Sequence, residues 1–156
     1  MLRIDIPGFR NLALEHLVLD YNGTLAVDGR LMFGVSERLA ALSADLTLHV
    51  VTADTFGRAR EGLDALPVRL TILEPGPQAE AKRDLVRRLG AESVVAIGNG
   101  RNDRLMLGAA ALGMSVSGLE GTAAEAIAAA HLHATDIHDA LDLLAKPLRL
   151  VATRRG

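Results

Sequence analysis

The chain has 156 residues, of which 49% are apolar and only 3% aromatic, so one domain with a core built from Leu, Val, Ile and Ala is expected. A formal net charge of -2 gives no electrostatic reason to expect nucleic acid or an anionic membrane as partner, and the absence of Cys excludes disulfides, thiol catalysis and thiolate metal sites. The longest uncharged run, Leu105 to Leu119, is shorter than a membrane span, and the opening MLRIDIPGFR lacks the apolar stretch of a signal peptide, which makes the cytoplasm the expected location.

Residues 2–6, LRIDI, alternate apolar and polar and predict a half-exposed edge strand ended by Pro7-Gly8. Leu17-Val18-Leu19 is an uninterrupted apolar run leading into Asp20, the pattern of a strand buried on both faces of a parallel sheet. After the polar loop Tyr21-Asn22-Gly23-Thr24, the stretch Val27-Asp28-Gly29-Arg30 predicts a two-residue hairpin turn, because Asp-Gly tolerates the positive φ such turns require. A helix is expected over Ser36 to Ser43, with Val35, Leu39 and Leu42 on one face.

The next strand, Leu46 to Val51, ends on Thr52. Asp54 or Thr55 is expected to cap a helix whose apolar stripe is Phe56, Ala59, Leu63 and Leu66. A third strand over Val68 to Leu73 is closed by Glu74-Pro75-Gly76-Pro77, and a helix from Gln78 to Leu89 stops at Gly90. Val94 to Ile97 reads as a fourth buried strand ending in Gly98-Asn99-Gly100. Helices are then expected over 102–111, 122–130 and 137–145, with a strand near 113–116. Pro147 is expected to stop the last helix, and 148–156 is open between a strand, an arm and a disordered tail. Alternating strands and helices predict an α/β fold with a mainly parallel sheet.

Ligands of open parallel sheets sit beyond the carboxyl ends of the strands. Three predicted strands end on Asp20, Thr52 and Asn99, and right-handed crossovers place those ends on one rim. Asp20 there can be a nucleophile toward a phosphoryl group and a ligand for a hard cation, two compatible roles, or else a cap of the next turn. Lys82 lies on the same helix face as Leu85, Val86 and Leu89, so it either snorkels along the sheet or pairs with an anion at the strand ends. In GNGRND, Gly98 to Asp103, the third glycine of a dinucleotide fingerprint is replaced by Asp103, whose charge would repel a pyrophosphate. His131, His133 and His138 do not have the spacing of a helical metal pair, and His49, inside an apolar strand, reads as a hydrogen-bonded core histidine.

The ordered set DYNGT, a strand ending in Thr, Lys, and GNGRND resembles the haloacid dehalogenase-like (HAD) superfamily of phosphohydrolases and phosphotransferases over Leu17 to about Leu107. Within it the motifs look most like the phosphorylation domain of P-type ATPases and related small proteins. The resemblance implies a Rossmann-like three-layer α/β/α sandwich, Mg²⁺, and an aspartyl-phosphate on Asp20. It further implies Asp20, Asn22, Thr52 and Lys82 as the catalytic positions, Gly23, Thr52, Ala53 and Lys82 around the phosphoryl group, and Asp20, Asn22, Asn99 and Asp103 around the metal. Asn22 would serve the metal through its backbone carbonyl.

This chain departs from the family pattern at two of those positions. Most phosphatases of the superfamily have at position 22 an Asp that acts as general acid and base, and Asn22 cannot exchange a proton usefully. Asn99 replaces a common carboxylate near the metal, which weakens Mg²⁺ binding although an amide oxygen remains a hard ligand. Only about 30 residues separate Asp20 from Thr52, and again Thr52 from Lys82, which leaves no room for a cap domain. An uncapped site suits a large phosphorylated substrate or completion by a second subunit of a homo-oligomer. The leading expectation is therefore a slow Mg²⁺-dependent phosphohydrolase or phosphotransferase; the alternatives are a catalytically silent phosphate-binding or interaction module and a receiver phosphorylated on Asp20.

Overall fold

The computed structural model describes all residues, Met1 to Gly156. Its centre is a six-stranded, all-parallel sheet. In chain order its strands are β3 (His16–Leu19), β6 (Thr47–Thr52), β7 (Val68–Ile72), β8 (Val94–Gly98), β9 (Leu112–Val116) and β10 (Leu132–Ala134), and in space they run β10-β9-β8-β3-β6-β7. Two small antiparallel pairs accompany it, β1 (Leu2–Ile6) with β2 (Arg10–Leu14) and β4 (Ala26–Val27) with β5 (Arg30–Leu31). The helices are α1 (Val35–Leu42), α2 (Ala59–Leu63), α3 (Gln78–Arg88), α4 (Arg104–Ala109), α5 (Ala124–Ala129), α6 (Ile137–Ala145) and α7 (Pro147–Arg154). None is long and apolar enough to cross a membrane.

Alternate residues of the strands feed two cores, which is why the central strands are apolar without interruption. Leu17, Leu19, Leu48, Val50, Val95 and Ile97 face a core shared with β1, β2, α1 and α6, while Val18, Val51, Val94 and Ala96 face one shared with α3 and α4. The layers are thus α/β/α, as the alternation of the sequence predicts. β3 lies between β6 and β8, with β6 and β7 to one side and β8, β9 and β10 to the other, so its carboxyl end is the switch point of the sheet.

Three departures from the sequence expectations have clear causes. Strand β1 is not an edge of the main sheet but one arm of a separate ribbon, because β2, whose Leu12 and Leu14 alternate inward, pairs with it along its full length. The stripe expected for α2 is cut short: only Ala59 and Leu63 are buried helical positions, while Phe56 precedes the helix and is 45% exposed. Pro147 ends α6 yet also begins α7, since a proline at the first helical position forfeits no hydrogen bond. Segment 148–156 is therefore mostly helical, with Leu150 buried and Gly156 N–H donating to Pro7 O. The hairpin turn forms as expected, with Asp28 at φ 51 and Gly29 at φ 76.

Candidate active site

The carboxyl end of β3 carries Asp20, whose N–H still donates to Ile97 O at 3.0 Å and so holds the residue in the sheet ladder. Immediately after it the chain turns back on itself: the Tyr21 carbonyl accepts from the N–H groups of Thr24, Leu25 and Ala26. The Tyr21 ring is fully buried, and its hydroxyl donates to Gly29 O at 3.0 Å, which ties the loop to the β4–β5 hairpin. Gly23, at φ 77, permits close approach from the neighbouring strand end, since a Cβ there would lie 2.3 Å from Asn99 Nδ2.

α3 crosses from β7 to β8 and brings Lys82 over these strand ends. The lysine is 0% exposed, and its Nζ donates to Asp20 Oδ1 at 2.6 Å and to Asp103 Oδ1 at 2.7 Å. It does not snorkel; it is a buried cation between two carboxylates. Asp103 is equally buried, and its other oxygen accepts from the N–H groups of Asn99 (3.0 Å) and Gly100 (2.8 Å), so both of its oxygens are committed. Gly98 makes this turn possible, because a Cβ there would lie 2.5 Å from Asp103 Cγ.

Electrostatics follow from this arrangement. Burial first, and the charge of Asp103 second, push the Asp20 carboxyl up from 3.8 to about 7, while Lys82 and Thr24 act in the opposite direction. Burial disfavours the Lys82 ammonium, but Asp20 and Asp103 more than offset it, and its affinity for the proton is raised. The Thr24 hydroxyl lies 3.2 Å from Asp20 Oδ2 and 3.0 Å from Asn99 Oδ1, and its single proton serves one of them at a time.

A cleft of about 120 Å³ opens on this rim, lined by Asp20, Asn22, Thr52, Ala53, Asn99 and Gly100 together with Thr55, Gln78 and Asn102. The structure thus joins the three strand ends singled out in the sequence. Thr52 is buried, and its Oγ1 accepts from Asp54 N–H at 2.9 Å, which leaves the hydroxyl proton free for an anion in the cleft. Gly23 does not offer its amide to the cleft, because that N–H donates to Ala26 O at 2.8 Å. Asp103 lies beneath the cleft rather than in its lining. Asn22 Oδ1 is buried with no hydrogen-bond partner, an unmet acceptor at the mouth of the site. Asp20, Asn22 and Asn99 line this one cleft, and a carboxylate, the Asn22 backbone carbonyl or its unpaired Oδ1, and an amide oxygen are hard donors of low total charge, of the kind a small divalent cation takes.

Thr24, Thr55, Gln78 and Asn102 are site residues that the sequence reading does not single out. Asn102 sits within GNGRND, and Gln78 one helical turn before Lys82; their side chains meet at 2.9 Å, Asn102 Nδ2 donating to Gln78 Oε1. The histidines lie elsewhere. His49 is buried against His16 at 3.2 Å, His131 accepts from Gly113 N–H, His133 lies between Ser115 and Ser117, and His138 bonds to Phe33 O.

No family model matches the chain. It is 42% identical over 84 residues to an uncharacterized protein of Methanocaldococcus jannaschii, an alignment covering 51% of this chain and 90% of that one. A second uncharacterized protein of that organism is 44% identical over 39 residues, 25% of this chain and 89% of that one. Among solved structures, 3-deoxy-D-manno-octulosonate 8-phosphate phosphatase from Moraxella catarrhalis, in complex with magnesium, phosphate and KDO, superposes with a TM-score of 0.68 at 17% identity over 90% of this chain and 93% of that one. The cobalt-bound phosphatase from Haemophilus influenzae gives 0.68 at 16% identity over 86% and 88%. A zinc-transporting P-type ATPase gives 0.64 at 20% identity over 79% of this chain and 20% of the pump.

Proposed function

Because this chain belongs to the same family as the Methanocaldococcus jannaschii protein and has the uncapped HAD fold, we propose that it is a Mg²⁺-dependent phosphohydrolase or phosphotransferase working through an aspartyl-phosphate on Asp20. The observation that carries the reading is the Asp20–Lys82–Asp103 triad, a buried cation held 2.6 Å from the carboxylate that faces the cleft. A structural ion pair of this kind is weak evidence for stability, because desolvation consumes most of the attraction. Its place at the switch point of the sheet, in a cleft that Thr52 also lines, supports phosphoryl transfer, since a cation and a hydroxyl donor there can offset the charge of a transferring group.

In this reading an Asp20 carboxylate oxygen attacks phosphorus, the ester P–O bond breaks, and the leaving oxygen takes its proton from solvent. Lys82 and the Thr52 hydroxyl offset the charge of the transferring group. Asp103 acts through Lys82 and the Asn99–Gly100 turn, fixing both. Asp20, Asn22 and Asn99 would hold Mg²⁺, which when bound supplies positive charge to the phosphoryl oxygens. Water or another acceptor then attacks phosphorus and Asp20 is released. Asn22 cannot take the proton from that water, so the second step is slow. Without a cation, burial and Asp103 hold the Asp20 carboxyl toward its protonated form, and Mg²⁺ bound beside it would favour the ionised nucleophile.

Beryllofluoride, a mimic of the phosphoryl group on aspartate, tests the reading alongside a panel of phosphate esters with and without Mg²⁺. Mg²⁺-dependent beryllofluoride binding that Asp20→Asn abolishes is expected. No binding by the wild-type protein would leave the silent module as the better description.

A further inference from the structure

We propose that the cleft continues into an anion-recognising subsite on the β4–β5 hairpin, built by Arg30 and Arg58, and that the phosphate esters selected by this chain carry a second anionic group at their far end. The proposal rests on the phosphotransfer reading and supplies its substrate class.

The cleft over Asp20, at about 120 Å³, has room for little beyond a phosphoryl group. Two open depressions of about 550 Å³ and about 540 Å³, the size range of small-molecule sites, lie on the hairpin and the segment after Thr55, and Arg30 and Arg58 line both. Two chain segments lead from the cleft to these depressions. Thr55 lines the cleft and Phe56 the cavity, so Arg58 is no more than about 11 Å along the backbone from Thr55. On the hairpin side Asn22 lines the cleft and Val27 the cavity.

The floor of this groove is preformed. It is made of backbone at Gly29 and Gly62, where a Cβ would lie 2.7 Å from Phe56 Cβ and 2.5 Å from the Tyr21 hydroxyl oxygen respectively. The hairpin is held from below by the Tyr21 hydroxyl on Gly29 O, and at its tip by Asp28 N–H donating to Glu120 Oε2 at 3.2 Å. Arg30 and Arg58 are exposed, and the side chain of neither is held in an ion pair or a hydrogen bond.

Two uncommitted guanidinium groups above a backbone floor recognise a planar or tetrahedral anion through their fork of N–H donors. Glu61 and Asp28 border the same grooves, so the lining alternates cations with acceptors. That pattern rejects a polyanion and accepts one anionic group flanked by hydroxyls, whose protons the carboxylates receive.

The test uses two linear probes that differ at the far end alone, 6-phosphogluconate, with a carboxylate, and sorbitol 6-phosphate, with a hydroxyl. Binding is measured by isothermal titration calorimetry with Mg²⁺ on Asp20→Asn protein, where no transfer consumes the probe. The phosphogluconate is expected to bind at least about 10-fold more tightly, the worth of charge-assisted hydrogen bonds. Adding Arg30→Ala and Arg58→Ala should bring the ratio of the two constants to about one, and Arg→Lys at both positions should restore part of it. Equal constants in the Asp20→Asn protein, a ratio that survives loss of both arginines, or no binding of either probe overturns the subsite. Turnover by the wild-type protein is read separately: a preserved ratio with no turnover and no beryllofluoride binding refutes the phosphotransfer reading and leaves the subsite standing.

Discussion

Replacing Lys82 by Met keeps most of the side-chain volume and removes the ammonium that lies 2.6 Å from Asp20 and 2.7 Å from Asp103. Two carboxylates then face each other in a site where Asp103 is 0% and Asp20 is 5% exposed. Breaking a buried pair by removing one partner costs about 3–5 kcal/mol. A urea slope of about 2 kcal/mol/M turns that loss into a midpoint lowered by about 1.5–2.5 M, readable by far-UV circular dichroism. The sign of the pH dependence follows from the loss of the cation, which had favoured the ionised carboxylates. Without it the folded Asp20 carboxyl moves further above 3.8, the folded state holds a proton that the unfolded chain has lost, and stability falls as pH rises from about 4 through the folded value. The deficit of Lys82→Met should therefore be larger at pH 8 than at pH 5, and adding Asp20→Asn should recover part of it at pH 8 by removing the carboxyl that must either take up a proton or stay an unpaired charge in the folded state. A loss below about 1 kcal/mol, the range of exposed pairs, or a deficit independent of pH would refute the reasoning.

In the wild-type protein free of Mg²⁺, the Asp20 carboxyl should titrate near 7 by carbon NMR, and Asp103→Asn should move it downward; a value near 4 would contradict the burial that the structure shows. By the same linkage Asp20 contributes a stability that declines between about pH 4 and 7, so Asp20→Asn should raise the urea midpoint at pH 8 while abolishing transfer. Asn22→Asp adds the missing acid/base group with little change of shape and should speed phosphate release from protein phosphorylated with acetyl phosphate by about 100-fold to 10,000-fold; an unchanged rate would show that water activation is not limiting. Gly23→Ala places a Cβ 2.3 Å from Asn99 Nδ2 at φ 77, so it should cost about 1–3 kcal/mol of stability and weaken Mg²⁺-dependent beryllofluoride binding, which titration of the folded variant measures directly.

The strands and helices that position the site are legible in the sequence because their signals are local. Leu17 to Leu19, Val94 to Ile97 and the Asp28-Gly29 turn each announce themselves by periodicity or by backbone preference, and the alternation of elements leads to a parallel sheet whose strand ends carry Asp20, Thr52 and Asn99. Signals that depend on a partner far along the chain are not legible. β10 forms because β9 offers an edge, and α7 because Leu150 finds a place in the core beside the first strands. Lys82 shows the same division within one residue. Its place on an apolar helix face is a matter of 3.6-residue spacing, but whether it snorkels or pairs depends on which carboxylates the fold brings within reach. Only the crossing of α3 over the switch point decides that, by closing both Asp20 and Asp103 around the ammonium where water cannot compete.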